Sequence, residues 1–339
     1  MKKKNIIIFT LVFIISGTVA PYCSESFIAG SIYALRNKIE NKQCLISNSE
    51  SGIPVVDYGI RMGVYVGKNK NPATISFAAL DYFREYESTK KNIYRDLFLN
   101  CANWLVDNSV VHQNYAILEY KFYYPDYDMR PPWRSALAQG LAVSVLGRAY
   151  FITKEKKYLD AAGLLLKAFF IEKKDGGVTY KNLVKNGWWY EEYAVDKGKE
   201  PMVFNGMMHT LLALHDYYIF TKDNQAKLLF DKGVAALIEY LPYFDRHGTC
   251  YYDIFNASSS IFYHNVCVVL LNDLYQITKI SVFKKYYDNW KYYKFSSFAG
   301  LVVHPTKIGA AIFLINFIVL SFIIFIFLGI TRKSKRRQK

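Results

Sequence analysis

No Cys-x-x-Cys pair occurs in this chain, and none of its five cysteines (Cys23, Cys44, Cys101, Cys250, Cys267) has a histidine at ligand spacing. The common zinc patterns are therefore excluded and no metal site is expected. An odd count leaves at least one thiol over after any pairing, and isolated buried thiols are an equal reading. Acids are missing from both tails. Lys2, Lys3 and Lys4 stand at one end, and Arg332, Lys333, Lys335, Arg336, Arg337 and Lys339 at the other. Removing those nine charges from the net +15 leaves +6 on the rest, so most of the charge is topological and not a nucleic-acid footprint.

Ionisable groups are also missing from Ile308 to Ile330, a run of 23 residues. At about 1.5 Å per residue it spans a hydrocarbon core of about 30 Å, and the basic cluster after it (331–339) reads as a cytoplasmic tail. A second apolar stretch, the 16 residues Asn5 to Ala20, follows the three lysines and ends in Gly17-Thr18-Val19-Ala20. Residues 1–20 read as a signal peptide or an N-terminal anchor, with cleavage the favoured reading. Either way residues 21 to 307 face outside, in a single-pass protein or a two-pass one if the first segment stays.

What is abundant is apolar and aromatic: 52% hydrophobic, with 29 Tyr and 24 Phe among 339 residues. That excludes disorder for most of the chain. Residues 21–73 form a lead-in, weakly ordered or partly stranded, with turn glycines at Gly59, Gly63 and Gly67. From about 74 the apolar period is helical, over Thr74 to Glu87 and Asn92 to Val106. Helical pairs then follow at 134–152 with 156–172, 203–221 with 225–240, and 261–278 with 281–294. The expected fold is all-α dominated: an α/α toroid of helical hairpins with short β segments over 74–300, plus a transmembrane helix over 308–330. No strict sequence repeat is visible.

The loops leading into the inner helices carry Tyr123-Tyr124-Pro125, Trp188-Trp189-Tyr190-Glu191-Glu192-Tyr193, and Tyr251-Tyr252-Asp253. Rings for sugar C–H faces and fixed polar groups for hydroxyls fit saccharide binding. Two acids between three rings fit a pocket better than a buried core.

Six segments in one order resemble the glucuronyl C5-epimerases, which convert D-glucuronate to L-iduronate in heparan-type chains. They are Pro132-Trp133-Arg134-Ser135-Ala136-Leu137-Ala138-Gln139-Gly140, Gly176-Gly177-Val178, Trp189-Tyr190-Glu191-Glu192-Tyr193, Phe204-Asn205-Gly206, Tyr252-Asp253 and Tyr263-His264. The resemblance covers roughly residues 110 to 295, that family's C-terminal toroid, and leaves no evident room for its β-rich N-terminal part. It implies proton transfer at Glu192, Tyr193 and Tyr263. It also implies substrate contacts from Trp133, Arg134, Gln139, Trp189, Tyr190, Glu191, Asn205, Tyr252, Asp253 and His264. Inverting C5 of a uronate removes a proton alpha to its carboxylate and returns one from the opposite face, which needs acid/base groups on both sides and no cofactor.

The chain departs from that family at Tyr252-Asp253-Ile254-Phe255-Asn256, where members follow Tyr-Asp-Leu with an Arg and a His. Arg134, Arg130 or His264 are the candidates to replace the lost charge. The expected function is a polysaccharide uronate 5-epimerase at a membrane surface. The implied partners are a uronate-containing glycan, the membrane and a second copy in a homodimer, with no nucleic acid. The alternatives are a toroid lyase or hydrolase, with Asp253 as the hydrolase's second carboxylate, or a non-catalytic glycan-binding protein. Asn256-Ala257-Ser258 is a glycosylation sequon in a host that glycosylates.

Overall fold

Ser135 starts the most buried helix of the body by accepting from the Ala138 N–H on its own Oγ at 3.3 Å, and Ser260 caps a later helix through Tyr263 N–H at 3.2 Å. The structure is a computed structural model and describes residues 2–39, 47–48, 51–181, 185–198 and 200–337. Two helices, α1 (Lys2–Thr18) and α2 (Ala20–Ile39), precede the body. The body has four helical hairpins: α3 (Pro72–Thr89) with α4 (Asn92–Asp107), α5 (Ala136–Thr153) with α6 (Lys156–Lys167), α7 (Phe204–Thr221) with α8 (Asn224–Tyr240), and α9 (Ile261–Thr278) with α10 (Ser281–Trp290). A short α11 (Phe298–Val303) leads to α12 (Lys307–Arg337).

The helices α3, α5, α7 and α9 pack side by side in that order, and each is backed by its hairpin partner. The result is an incomplete α/α toroid, as expected. Its inner helices run in one direction, so the loops before them gather at one end. Short antiparallel ladders stiffen those loops, among them Ala116–Tyr120 with Trp133–Arg134 and Thr179–Tyr180 with Trp189–Tyr190.

A repeat that carries no hydropathy signal closes every inner helix. Tyr86, Tyr150, Tyr218 and Tyr275 each stand four residues ahead of a lysine (Lys90, Lys154, Lys222, Lys279) in the left-handed conformation. In each turn the lysine N–H returns to the tyrosine carbonyl, and the lysine ammonium lies 5.5–5.8 Å from that tyrosine's ring. The intervening threonine donates its hydroxyl back to the carbonyl four residues earlier and accepts from the N–H two residues on. A tight reversal of this kind satisfies the orphan groups at the helix end and aims the next helix backwards.

The lead-in differs from expectation at its start, because Ala20–Ile39 is helical; strands occupy Pro54–Asp57, Ile60–Arg61, Val64–Tyr65 and Lys68–Asn69. Cys44 and Lys339 lie outside the described residues, and Cys23, Cys101, Cys250 and Cys267 are free thiols. The apolar helix Ala136–Thr153 is mostly enclosed by the body, whereas Lys307–Leu328 is long, apolar and largely uncovered. Phe322, Phe325 and Phe327 on α12 point outward, each more than 60% exposed. Against this helix lies α1, with Phe9 near Phe317 (6.4 Å between ring centroids) and Phe13 near Phe313 (5.3 Å), an antiparallel arrangement. The bend of 66° between Ile6–Thr18 and Ala20–Ile32 then turns the chain toward the body. There the buried Glu25 carboxylate accepts from the Ser296 N–H and hydroxyl at 2.7 and 2.6 Å.

Candidate active site

The loop ahead of α7 carries Trp189 to Tyr193, its first three side chains buried and the next two only partly so. Trp189, Tyr190 and Glu191 are fully buried and point inward. Trp189 stacks on Phe244, and the Tyr190 hydroxyl donates to Leu229 O at 2.5 Å. Glu191 accepts from the N–H groups of Met202 and Tyr193 at 3.0 and 3.3 Å, so it holds the loop together. Burial pushes its carboxyl up to about 7.

Glu192 and Tyr193, which follow, are half-buried. The Glu192 Oε2 atom is enclosed and has no hydrogen-bond partner. Desolvation, and then the neighbouring charge of Glu191, push its carboxyl up to about 8, against an opposing hydrogen bond with Tyr193. Four phenols stand within its electrostatic reach: Tyr120, Tyr127, Tyr193 and Tyr252. All four hydroxyls are raised, first by burial. Tyr193 and Tyr252 also hydrogen-bond each other.

Tyr263, in the first turn of α9 and 39% exposed, lies 5.0 Å from the Tyr252 ring between centroids. Tyr252 therefore stands between the Glu192–Tyr193 pair and the exposed Tyr263. Asn205, in the first turn of α7, is buried with its Oδ1 unpartnered. Trp133 forms the back wall: it stacks on Tyr120 at 3.8 Å, lies 5.8 Å from Tyr193, and donates its indole N–H to Phe122 O at 2.8 Å. The buried Asp253 accepts from the Tyr127 hydroxyl at 2.6 Å and from the Phe255 and Ala257 N–H groups at 3.0 Å, so it fixes the turn and Tyr127 together.

Three expected contact residues and the candidate cation Arg130 sit elsewhere, besides the buried Trp189–Tyr190–Glu191 run. Gln139 is fully buried, donates to Ala116 O and Leu165 O at 2.8 and 3.0 Å and accepts from Leu118 N–H at 3.1 Å, a tie between strand and helices. Arg134 donates to Lys173 O, Gly177 O and Asp196 at 2.8, 3.1 and 2.6 Å, which spends its fork on the 173–177 loop. His264 is enclosed between Cys250, Trp290 and Phe295. Arg130, the remaining candidate cation, has an 81% exposed side chain beside Asp128. Lost from the expected set, then, is any cation that faces the cleft.

Sequence reasoning missed residues that the lead-in and the 120s loop bring in. Asn71 holds Tyr120 and Tyr58 at 3.0 and 2.6 Å. Tyr124 stacks parallel to Tyr193 at 5.7 Å, with Arg61 above it at 4.8 Å. Only the aromatic run at 123–124 was a visible signal. A groove of about 570 Å³ lies between the later turns of the inner helices, lined by Arg84, Arg148, His209, Asp216 and Asp273 among others. None of Glu192, Tyr193 or Tyr263 lines it, and its Arg148 donates to Asp216 at 2.7 Å.

Comparison with known proteins identifies the family and the fold. The family described as D-glucuronyl C5-epimerase C-terminus matches residues 107–292. A D-glucuronyl C5-epimerase of Caenorhabditis elegans is 32% identical over 218 residues, 57% of this chain but 34% of that enzyme. An uncharacterized protein of Methanocaldococcus jannaschii is 27% identical over 318 residues, covering 86% of this chain and 99% of that one. A sugar epimerase from a ruminal bacterium superposes with a TM-score of 0.51 at 9% identity, over 84% of this chain and 73% of that one, a likeness of fold alone.

Proposed function

Because the chain belongs to the family of the D-glucuronyl C5-epimerase C-terminus, we propose that it is a carbohydrate epimerase acting at C5 of a hexuronate within a glycan. The observation that carries this reading is the enclosed, unpartnered Oε2 of Glu192, set in a ring of phenols with Tyr263 beyond Tyr252. A carboxylate whose proton affinity is raised to about 8 is a stronger base than a solvated one. Glu192 takes the C5 proton on one face, leaving an enolate-like carbanion stabilised through the sugar carboxylate. Tyr263 delivers its phenolic proton to the opposite face. Glu192 then loses its proton to solvent and Tyr263 regains one, so each turnover exchanges the C5 hydrogen. Tyr193 and Tyr252 hold the geometry between the two.

The test is incubation of the full chain with a glucuronate polymer in deuterated water. Deuterium at C5 without chain cleavage is expected, and Glu192→Gln and Tyr263→Phe each lower it at least about 10²-fold. Unsaturated chain ends would make the enzyme a lyase, and binding without exchange in the parent chain would end the epimerase reading.

For its setting we propose a membrane anchor of two antiparallel helices, α1 and α12, with the toroid outside and both basic ends cytoplasmic. The packing of Phe9 and Phe13 on α12, and of Gly17 against the Phe298 ring, supports retention of the first segment over its removal. Intact-mass analysis of membrane-extracted protein checks it; a mature chain starting near residue 21 would overturn it.

A further inference from the structure

The epimerase reading leaves one chemical need unmet by the residues already described. Removing a proton alpha to a carboxylate places a second negative charge on that group, and such a step needs a fixed cation or several donors aimed at it. Arg134, Arg130 and His264 do not face the cleft, and Phe255 and Asn256 carry no charge.

Arg61 does approach it. It sits on a two-stranded hairpin of Ile60–Arg61 and Val64–Tyr65 in the lead-in, outside the matched span of 107–292. Its Nε donates to Asp126 Oδ1 at 3.1 Å and its Nη2 pairs with Oδ2 of the same carboxylate. The guanidinium lies over the Tyr124 ring at 4.8 Å, and that ring stacks on Tyr193 at 5.7 Å. Its charge is felt at Tyr193. The Tyr124 hydroxyl also donates to Asp126, at 3.2 Å. Asp126 therefore occupies one edge of the fork and fixes its plane. Among the described residues Nη1 has no hydrogen-bond partner, and the side chain is 38% exposed. A guanidinium has five N–H donors, so the Nη1–Nη2 edge remains available as a preset bidentate site for a second carboxylate.

We propose that Arg61 binds the carboxylate of the uronate ring through its remaining N–H donors, the fixed donors that the 252–256 turn lacks. This inference rests on the epimerase reading of the Glu192 cleft. It makes the lead-in hairpin, and not the toroid, the element that selects acidic sugars over neutral ones. Tyr193, in contact with both Glu192 and the Tyr124–Arg61 stack, then lies between the site of proton removal and the carboxylate that receives the charge.

The test compares the full chain in detergent with Arg61→Ala, Arg61→Gln and Arg61→Lys. One readout is C5 deuterium exchange on a glucuronate polymer. The other is binding of a glucuronate oligosaccharide against the same oligosaccharide with its carboxyls reduced to alcohols. Arg61→Ala and Arg61→Gln are expected to lower kcat/KM for exchange about 10²- to 10³-fold and to abolish the preference for the acidic ligand, with Arg61→Lys recovering part of both. Unchanged exchange and unchanged preference in well-folded Arg61→Gln would overturn the assignment, as would a parent chain with no preference for the acidic ligand. A parent chain that prefers the acidic ligand through Arg61 yet exchanges no deuterium would sustain this inference and remove the epimerase reading. Should Arg61→Ala unfold, the two polar variants still decide the question.

Discussion

The Cβ that any other residue would carry at position 206 falls 2.0 Å from Oε2 of Glu192. Gly206 lies in the first turn of α7, so the Glu192 carboxylate packs against a helix end that carries no side chain at that point. Gly206→Ala forces the carboxylate to move. We expect C5 exchange to fall at least about 10²-fold while stability drops only about 1–3 kcal/mol. Parallel exchange assays and urea melts check this; a fully active Gly206→Ala chain would show that the Glu192 position is not critical.

Stability should fall as pH rises. Glu191 and Glu192 ionise near 4.5 when unfolded but near 7 and 8 when folded, so the folded chain binds more protons between those limits. Their contribution is fully present below about 4.5 and is lost as pH climbs through 7 and then 8. Denaturant midpoints from pH 6 to 9 should decline more steeply in the parent chain than in Glu192→Gln. Superimposable slopes would contradict the buried-carboxyl account. In the same window kcat/KM for exchange should increase toward pH 8, as the base form of Glu192 appears.

Gln139 sits inside the motif shared with the epimerases yet touches no part of the cleft. Gln139→Leu leaves Leu118 N–H, Ala116 O and Leu165 O buried without partners. At about 1–3 kcal/mol for each stranded group, a loss of about 3 kcal/mol or more is expected, with KM unchanged in whatever fraction stays folded. A selective rise in KM without loss of stability would return Gln139 to the substrate site.

The four Tyr-x-x-Thr-Lys turns give a test of additivity. Thr89→Ala should cost about 1 kcal/mol, and Thr89→Ala with Thr278→Ala about twice that, because the two threonines share no partner and α3 and α9 are not neighbours in the row. Strongly non-additive melts would mean that the hairpins couple at that end.

Helical hairpins were readable because their signal is local: a residue's period along Thr74 to Glu87 or 261–278 reports the face it buries. The same locality made the turn repeat available in principle at Tyr150-Phe151-Ile152-Thr153-Lys154, but its meaning depends on hydrogen bonds at the helix end and not on hydropathy. The site divided differently. Glu191 and Glu192 are adjacent and chemically identical, so nothing in the linear pattern separates the loop strut from the proposed base. Arg61 lies far ahead of the motif segments and Tyr127 just before the first of them, and both reached the site only through folding.

The sequence by itself determined the apolar C-terminal run, the order of helical pairs and the acids and phenols of the family's motif, because composition and period act on near neighbours. Tertiary structure alone decided which way each side chain of Trp189 to Tyr193 points, and that Arg134 and His264 are spent elsewhere. It also decided that a lead-in arginine reaches Tyr193's stack. Such choices follow from burial and hydrogen-bond satisfaction among segments far apart in the chain, which no local pattern encodes.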